Sequence, residues 1–121
     1  MSNQLTTDIL ILGPGGAGSM AALHALWRDP SLDITVVSKG GLGKSSCTRK
    51  VQGGYNVVLK APDSIEAHFT DTVKGGAFIN DQDLALTLVE DAPRIVKELE
   101  NRIGCLFDRA ADGAIHQKAF A

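Results

Sequence analysis

Ile9-Leu10-Ile11-Leu12, followed at once by Gly13-Pro14-Gly15-Gly16-Ala17-Gly18, is the stretch that decides the fold. Asp8 to Leu12, a continuous apolar run after its first residue rather than an alternation, reads as a parallel strand buried on both faces. The glycine turn that follows opens a segment with helical character, and each glycine there has a physical task. Gly13 lets the chain turn tightly off the strand. Gly15 has no Cβ, so a pyrophosphate can approach its backbone. Gly18 lets the helix lie close to the sheet. The first-turn amides and the positive end of the helix dipole then face the phosphates, which marks Gly13, Gly15, Gly16, Ala17 and Gly18 as dinucleotide-binding candidates.

Working outward, Gly16 to Trp27 carries Ala17, Met20, Ala21, Leu23 and Leu26 on one broad apolar face, and Arg28-Asp29-Pro30 breaks it. Ile34-Thr35-Val36-Val37 is β-branched and reads as the second strand. Strand, helix and strand make a right-handed βαβ unit. The fold class is therefore α/β: a Rossmann-like unit with a parallel sheet. Ser45 to Gln52 is expected as a short helix cut off by Gly53-Gly54. Asp63 to Val73 is expected as a helix capped by Asp63 or Ser64 and stopped by Gly75-Gly76. A longer helix starts at Asp81 or Asp83, carries Leu84, Leu88 and Val89, and is expected to be divided by Pro93. Its pattern resumes through Ile95, Leu99 and Ile103 to Gly104. Leu106-Phe107, Asp112-Gly113 and Ala114-Ile115 suggest a small β-hairpin with a type I′ turn.

The 121 residues suffice for one modest domain, and 44% hydrophobic with 21% charged residues is ordinary for a globular chain. A net charge of −2 offers no basic excess for nucleic acid or an anionic membrane. No apolar run approaches a membrane span, so no direct membrane insertion is expected, and Met1 to Thr7 lack the order of a secretory signal. Cys47 and Cys105 are too few for a disulfide framework or a zinc site, and free thiols in a cytoplasmic setting are expected. His24, His68 and His116 are too scattered to form a metal site. The 13 glycines cluster at 13–18, 40–43, 53–54 and 75–76, the loop tips where a chain would wrap a ligand.

Lys39-Gly40-Gly41-Leu42-Gly43-Lys44-Ser45-Ser46 offers a rival reading. It resembles the variant phosphate loop of the ParA/MinD-type ATPases, in which Lys44 would neutralise phosphates and Ser45 would ligate magnesium. A phosphate loop needs a helix directly after Ser45, and Gly53-Gly54 leaves room for at most about two turns. No later apolar strand ends in the acidic residue that would hold the magnesium. The dinucleotide reading is stronger, but its usual acidic residue roughly 20 positions past the glycines is replaced by Ser38-Lys39.

A family resemblance follows from the whole chain in order. Gly13-Pro14-Gly15-Gly16-Ala17-Gly18, Val36-Val37-Ser38-Lys39, Ser46-Cys47-Thr48 and Gln52-Gly53-Gly54 resemble the N-terminal part of the succinate dehydrogenase/fumarate reductase flavoprotein family, to which L-aspartate oxidases also belong. The likeness continues through Ser64 to Gly76, Asp108-Arg109, Asp112-Gly113 and Lys118-Ala119-Phe120. It implies FAD as cofactor. Ser38 and Lys39 would meet the adenosine half. Ser45, Ser46, Cys47, Thr48, Gln52, Gly53 and Gly54 would lie along the phosphates, ribityl chain and flavin ring. Hydroxyls and small residues suit such a long polar cofactor, although read alone Ser45, Ser46 and Thr48 are ordinary loop hydroxyls. Residues 1–60 would be the FAD-binding βαβ half, and 61–121 a helical segment and hairpin of the same, incomplete, flavoprotein domain.

Two departures sharpen the resemblance. Membrane-bound members bond the flavin covalently through a histidine where this chain has Cys47, so noncovalent FAD is expected, with Cys47 a small packing residue by default. Phe120 stands where aspartate oxidases carry a glutamate for the substrate ammonium, which favours a C4 dicarboxylate and makes Phe120 a substrate-pocket candidate. Ala121 stands where a glycine is usual. The family's substrate-binding and proton-delivering residues lie beyond this length, so no catalytic residue is assigned here, and weak FAD binding without turnover is expected of the chain alone. An iron–sulfur subunit is the implied partner, and a place beside the inner membrane would come through such subunits. A non-catalytic piece that docks on a partner chain is the remaining alternative.

Overall fold

The computed structural model describes residues 4–51 and 54–118, and the chain divides into two compact units, 1–53 and 54–121. In the first unit, β1 (Ile9–Leu12) and β2 (Ile34–Val37) pair in parallel, with Ile9 opposite Ile34 and Leu12 opposite Val37. Between them runs α1 (Gly16–Arg28), packed on both strands. The register is fixed at the entry end by Asp8. Its amide donates to the Asp33 carbonyl at 2.9 Å and its carboxylate accepts from the Asp33 amide at 2.8 Å. At the exit end the Gly13 amide donates to the Val37 carbonyl at 2.9 Å, so the ladder continues one step into the turn. The short α2 (Cys47–Lys50) follows the 39–45 loop.

The expectation that β1 is buried on both faces does not hold. Its residues alternate, with Ile9 and Ile11 half-buried and Leu10 and Leu12 exposed. A four-residue apolar run carries no period that could separate the two cases, and here α1 covers one face only. The helix expected over Ser45 to Gln52 is reduced to Cys47–Lys50 and ends before the glycines, with Val51 already extended.

The second unit is built on α3 (Ile65–Gly75) and α4 (Gln82–Glu98), which pack together. Ser64 caps α3 by accepting from the Ala67 amide at 3.1 Å, and Asp81 caps α4 by accepting from the Asp83 and Leu84 amides. Between the helices, Ala77 (φ 52°) and Phe78 (φ 62°) are left-handed. Their amides satisfy the Lys74 and Val73 carbonyls, a six-to-one closure of the α3 carboxyl end. The four buried side chains among the described residues all belong here: Val73, Ala85, Val89 and Val96.

Pro93 does not divide α4, which runs unbroken from Gln82 to Glu98. Ala85 and Val89 before the proline and Val96 after it bury on one face. That shared burial outweighs the missing amide, which removes only the bond to residue 89. A π-helical turn, Leu99–Ile103, extends α4 to Gly104, left-handed at φ 83°, whose amide returns to the Leu99 carbonyl. The expected type I′ hairpin is also corrected. Among the described residues the segment forms an isolated antiparallel bridge, Arg109 with Ile115, and no hairpin ladder. Type I′ needs positive φ at both central residues, and of Asp112 and Gly113 only Gly113 has it, at 80°. The Gly113 amide donates to the Ala110 carbonyl and the Ala110 amide to the Ala114 carbonyl, the pattern of a tight turn ending in a glycine bulge.

Candidate functional site: the glycine turn and its hydroxyls

Gly13 leaves β1 at φ 107°, a conformation that disfavours any side chain. Gly15 is the N-cap of α1 and, lacking a side chain, gives no cap of its own; no acidic residue occupies the first helical turn. The positive end of a 13-residue helix is thus presented at the carboxyl end of the sheet with no carboxylate in that turn to neutralise it. A Cβ on Gly18 would strike the Gly13 carbonyl and sit 3.1 Å from the Ile11 side chain. Gly18 is what lets α1 lie this close to β1.

The structure brings the residues of the 45–48 segment to this turn. The Gly16 amide donates to Thr48 Oγ1 at 2.9 Å. A Cβ on Gly15 would lie 3.6 Å from Thr48 Oγ1 and 3.7 Å from Ser46 Cβ. Ser46 is the N-cap of α2, and Cys47, its first residue, is exposed. Ser38 directly follows β2, and its hydroxyl accepts from the Gly40 amide at 3.3 Å. A Cβ on Gly40 would overlap the Ser45 hydroxyl, so Ser45 folds back over its own loop. Lys39 is exposed beside them. Ala17 and Gly18 lie in the first turn of α1. Gln52, Gly53 and Phe120 lie outside the described residues. Gly54 belongs to the second unit, where it lines a cavity of about 560 Å³ with Tyr55, His68, Thr72, Leu88 and Ile95. His68 Nδ1 in that wall is buried without a hydrogen-bond partner. No motif pointed to this cavity; the one sequence signal is that His68 and Thr72 share a face of α3 at i, i+4 spacing.

The phosphate-loop reading of Lys39–Ser46 fails on geometry. The helix that should begin at Ser45 starts at Cys47 and has four residues. Its amino end therefore has no dipole of useful length to offer a phosphate. Among the described residues no group of three His, Cys, Asp or Glu side chains is placed to hold a metal ion, and no helix is long and apolar enough to cross a membrane.

Residues 8–121 match the family described as FAD binding domain. The chain belongs to the FAD-binding domain family. FAD is the dinucleotide that this family binds. The donor set fits FAD: backbone amides at a helix terminus for the phosphates, and the hydroxyls of Ser38, Ser45, Ser46 and Thr48 for a polar chain.

Within the family, the chain is 50% identical over 116 residues to an uncharacterized FAD-dependent oxidoreductase of Methanocaldococcus jannaschii, covering 96% of this chain and 21% of that protein. It is 42% identical over 113 residues to the 8-methylmenaquinol:fumarate reductase flavoprotein subunit of Wolinella succinogenes, covering 92% and 18%. Among solved structures, E. coli quinol fumarate reductase superposes with a TM-score of 0.85 at 36% identity, covering 93% of this chain and 19% of that one. The Mycobacterium smegmatis Sdh1 complex superposes at 0.84 with 38% identity, covering 95% and 19%. The chain spans about a fifth of the length of these relatives.

Proposed function

We propose that this chain is the FAD-binding portion of a fumarate reductase/succinate dehydrogenase-type flavoprotein, a flavin oxidoreductase acting on a C4 dicarboxylate. The carrying observation is the acid-free amino end of α1, without a side chain on its own N-cap residue, set against the Ser46–Thr48 segment, a combination that suits a pyrophosphate followed by a hydroxylated chain. The family match running unbroken from 8 to 121 supports assigning both units to one FAD-binding domain. Bound FAD supplies hydride transfer to and from the dicarboxylate. Gly15, Ala17 and Gly18 present amides to its phosphates, and Gly16 ties the turn to Thr48. Ser38 and Lys39 follow β2 on the adenosine side. Ser45, Ser46 and Thr48 accompany the rest.

Cys47 replaces the histidine of covalent members, so the flavin is held noncovalently, and the loss of that link favours fumarate reduction over succinate oxidation. Phe120 favours the dicarboxylate over aspartate, because a phenyl ring cannot pair with an ammonium. An iron–sulfur subunit is the partner this reading implies, with a peripheral position at the inner membrane gained through it. The likeness to a flavoprotein subunit of Wolinella succinogenes and to the Sdh1 complex supports a multi-subunit setting.

The test is an absorption spectrum after reconstitution with FAD, before and after acid precipitation. Flavin bands that leave with the supernatant are expected, and Cys47→Ser should leave that release unchanged. Colour retained in the pellet of the native chain, but lost in Cys47→Ser, would overturn the noncovalent assignment. A chain that takes up no FAD would count against the site itself.

A further inference from the structure

We infer that Thr48 is a positioning residue: its hydroxyl serves as the missing cap of α1 and locks the glycine turn to the 46–48 segment. This rests on the FAD reading above for its consequence, though not for its geometry. Three observations converge. Helix α1 has no cap from its own N-cap residue, Gly15. The Gly16 amide, one of the four that a helix leaves unpaired at its start, is taken by Thr48 Oγ1 at 2.9 Å across 32 residues of sequence. The absent side chain of Gly16 also eases the close approach of Thr48, since a Cβ there would lie 3.3 Å from Oγ1 and 3.5 Å from Cγ2.

Gly15 and Gly16 therefore do more than expose backbone to a phosphate. They form the socket for a threonine from the next loop, with Ser46 backed against Gly15. The bond occupies one helix amide and sets where Ser46 and Cys47 stand relative to the remaining ones. A serine can make the same bond, whereas valine has the same shape and no acceptor.

Amide exchange at Gly16, followed by NMR on the 121-residue chain without cofactor, reads the lock directly. Protection in the native chain, a tenfold or greater loss in Thr48→Val and near-native protection in Thr48→Ser are expected. A Gly16 amide that exchanges freely in the native chain overturns the inference whatever the variants do. In parallel, FAD affinity by quenching of flavin fluorescence should fall at least tenfold in Thr48→Val and stay within about twofold in Thr48→Ser. Faster Gly16 exchange in Thr48→Val with unchanged FAD affinity would overturn the positioning role. A protected native Gly16 with hydroxyl-dependent exchange, in a chain that binds no FAD, would support the lock and count against the FAD reading.

Discussion

In residues 9–50 the contacts that decide the structure are between backbone atoms, whereas in residues 65–103 they are between side chains. The first region has no fully buried side chain among its described residues. It is held by a four-pair parallel ladder, by Gly13 tied to Val37, and by a glycine that allows a helix to rest on a carbonyl. The second is held by Val73, Ala85, Val89 and Val96 at the contact of two capped helices. The comparison teaches where a site can be placed. A cofactor turn needs amides facing outward and no bulk in the way, so its region must be stabilised by close backbone approach rather than by a side-chain core.

The sharpest way to break the comparison is Gly18→Ala. Its methyl would land on backbone, which cannot move aside, and a loss of about 3 kcal/mol is expected from urea unfolding, together with loss of FAD uptake. Gly41→Ala is its control, because the nearest contact there is the flexible Lys44 side chain at 3.4 Å. Equal effects from the two would mean that backbone proximity is not what holds the first region. Next comes Val89→Ala, at the one fully buried large side chain among the described residues, with about 2 kcal/mol lost and faster amide exchange along α3 and α4. Asp81→Ala should cost about 1 kcal/mol, since it leaves the Asp83 and Leu84 amides without their acceptor.

The smallest effect is expected at Asp29, which follows α1. Its carboxylate accepts from the Ser31 hydroxyl at 2.6 Å and the Ser31 amide at 2.9 Å, and these bonds lower its pKa below the usual 3.8. A depressed carboxylate stabilises the fold above its unfolded pKa and loses that contribution as the pH falls through the folded value. Ser31→Ala should therefore cost a little stability at neutral pH and flatten the acid limb, so that the two chains converge as the pH falls below about 4. Thermal melts from about pH 2.5 to 7 would show it.

What was legible in the sequence follows the same division. Both strands and α1 could be read because they depend on local pattern, which also narrowed the caps to Asp63 or Ser64 and to Asp81 or Asp83. Pro93 could not be placed correctly, because a proline's local cost says nothing of the core that holds the helix on either side. The Asp112-Gly113 turn went wrong for a related reason: the dipeptide suits two turn types, and the backbone of its neighbours selects between them. The glycine turn was legible as the tight passage from β1 to α1. Its bond to Thr48 was not, since a single hydroxyl 32 residues away leaves no periodic trace.

Four residues are far too few for a helix to persist in water, so α2 owes its order to what it is fastened to. With Thr48 as the fastening, much of the conformational entropy of this loop is lost when the chain folds, before any ligand arrives. A cofactor that then meets Ser46 and Cys47 finds them already in place and keeps more of its contact energy as affinity.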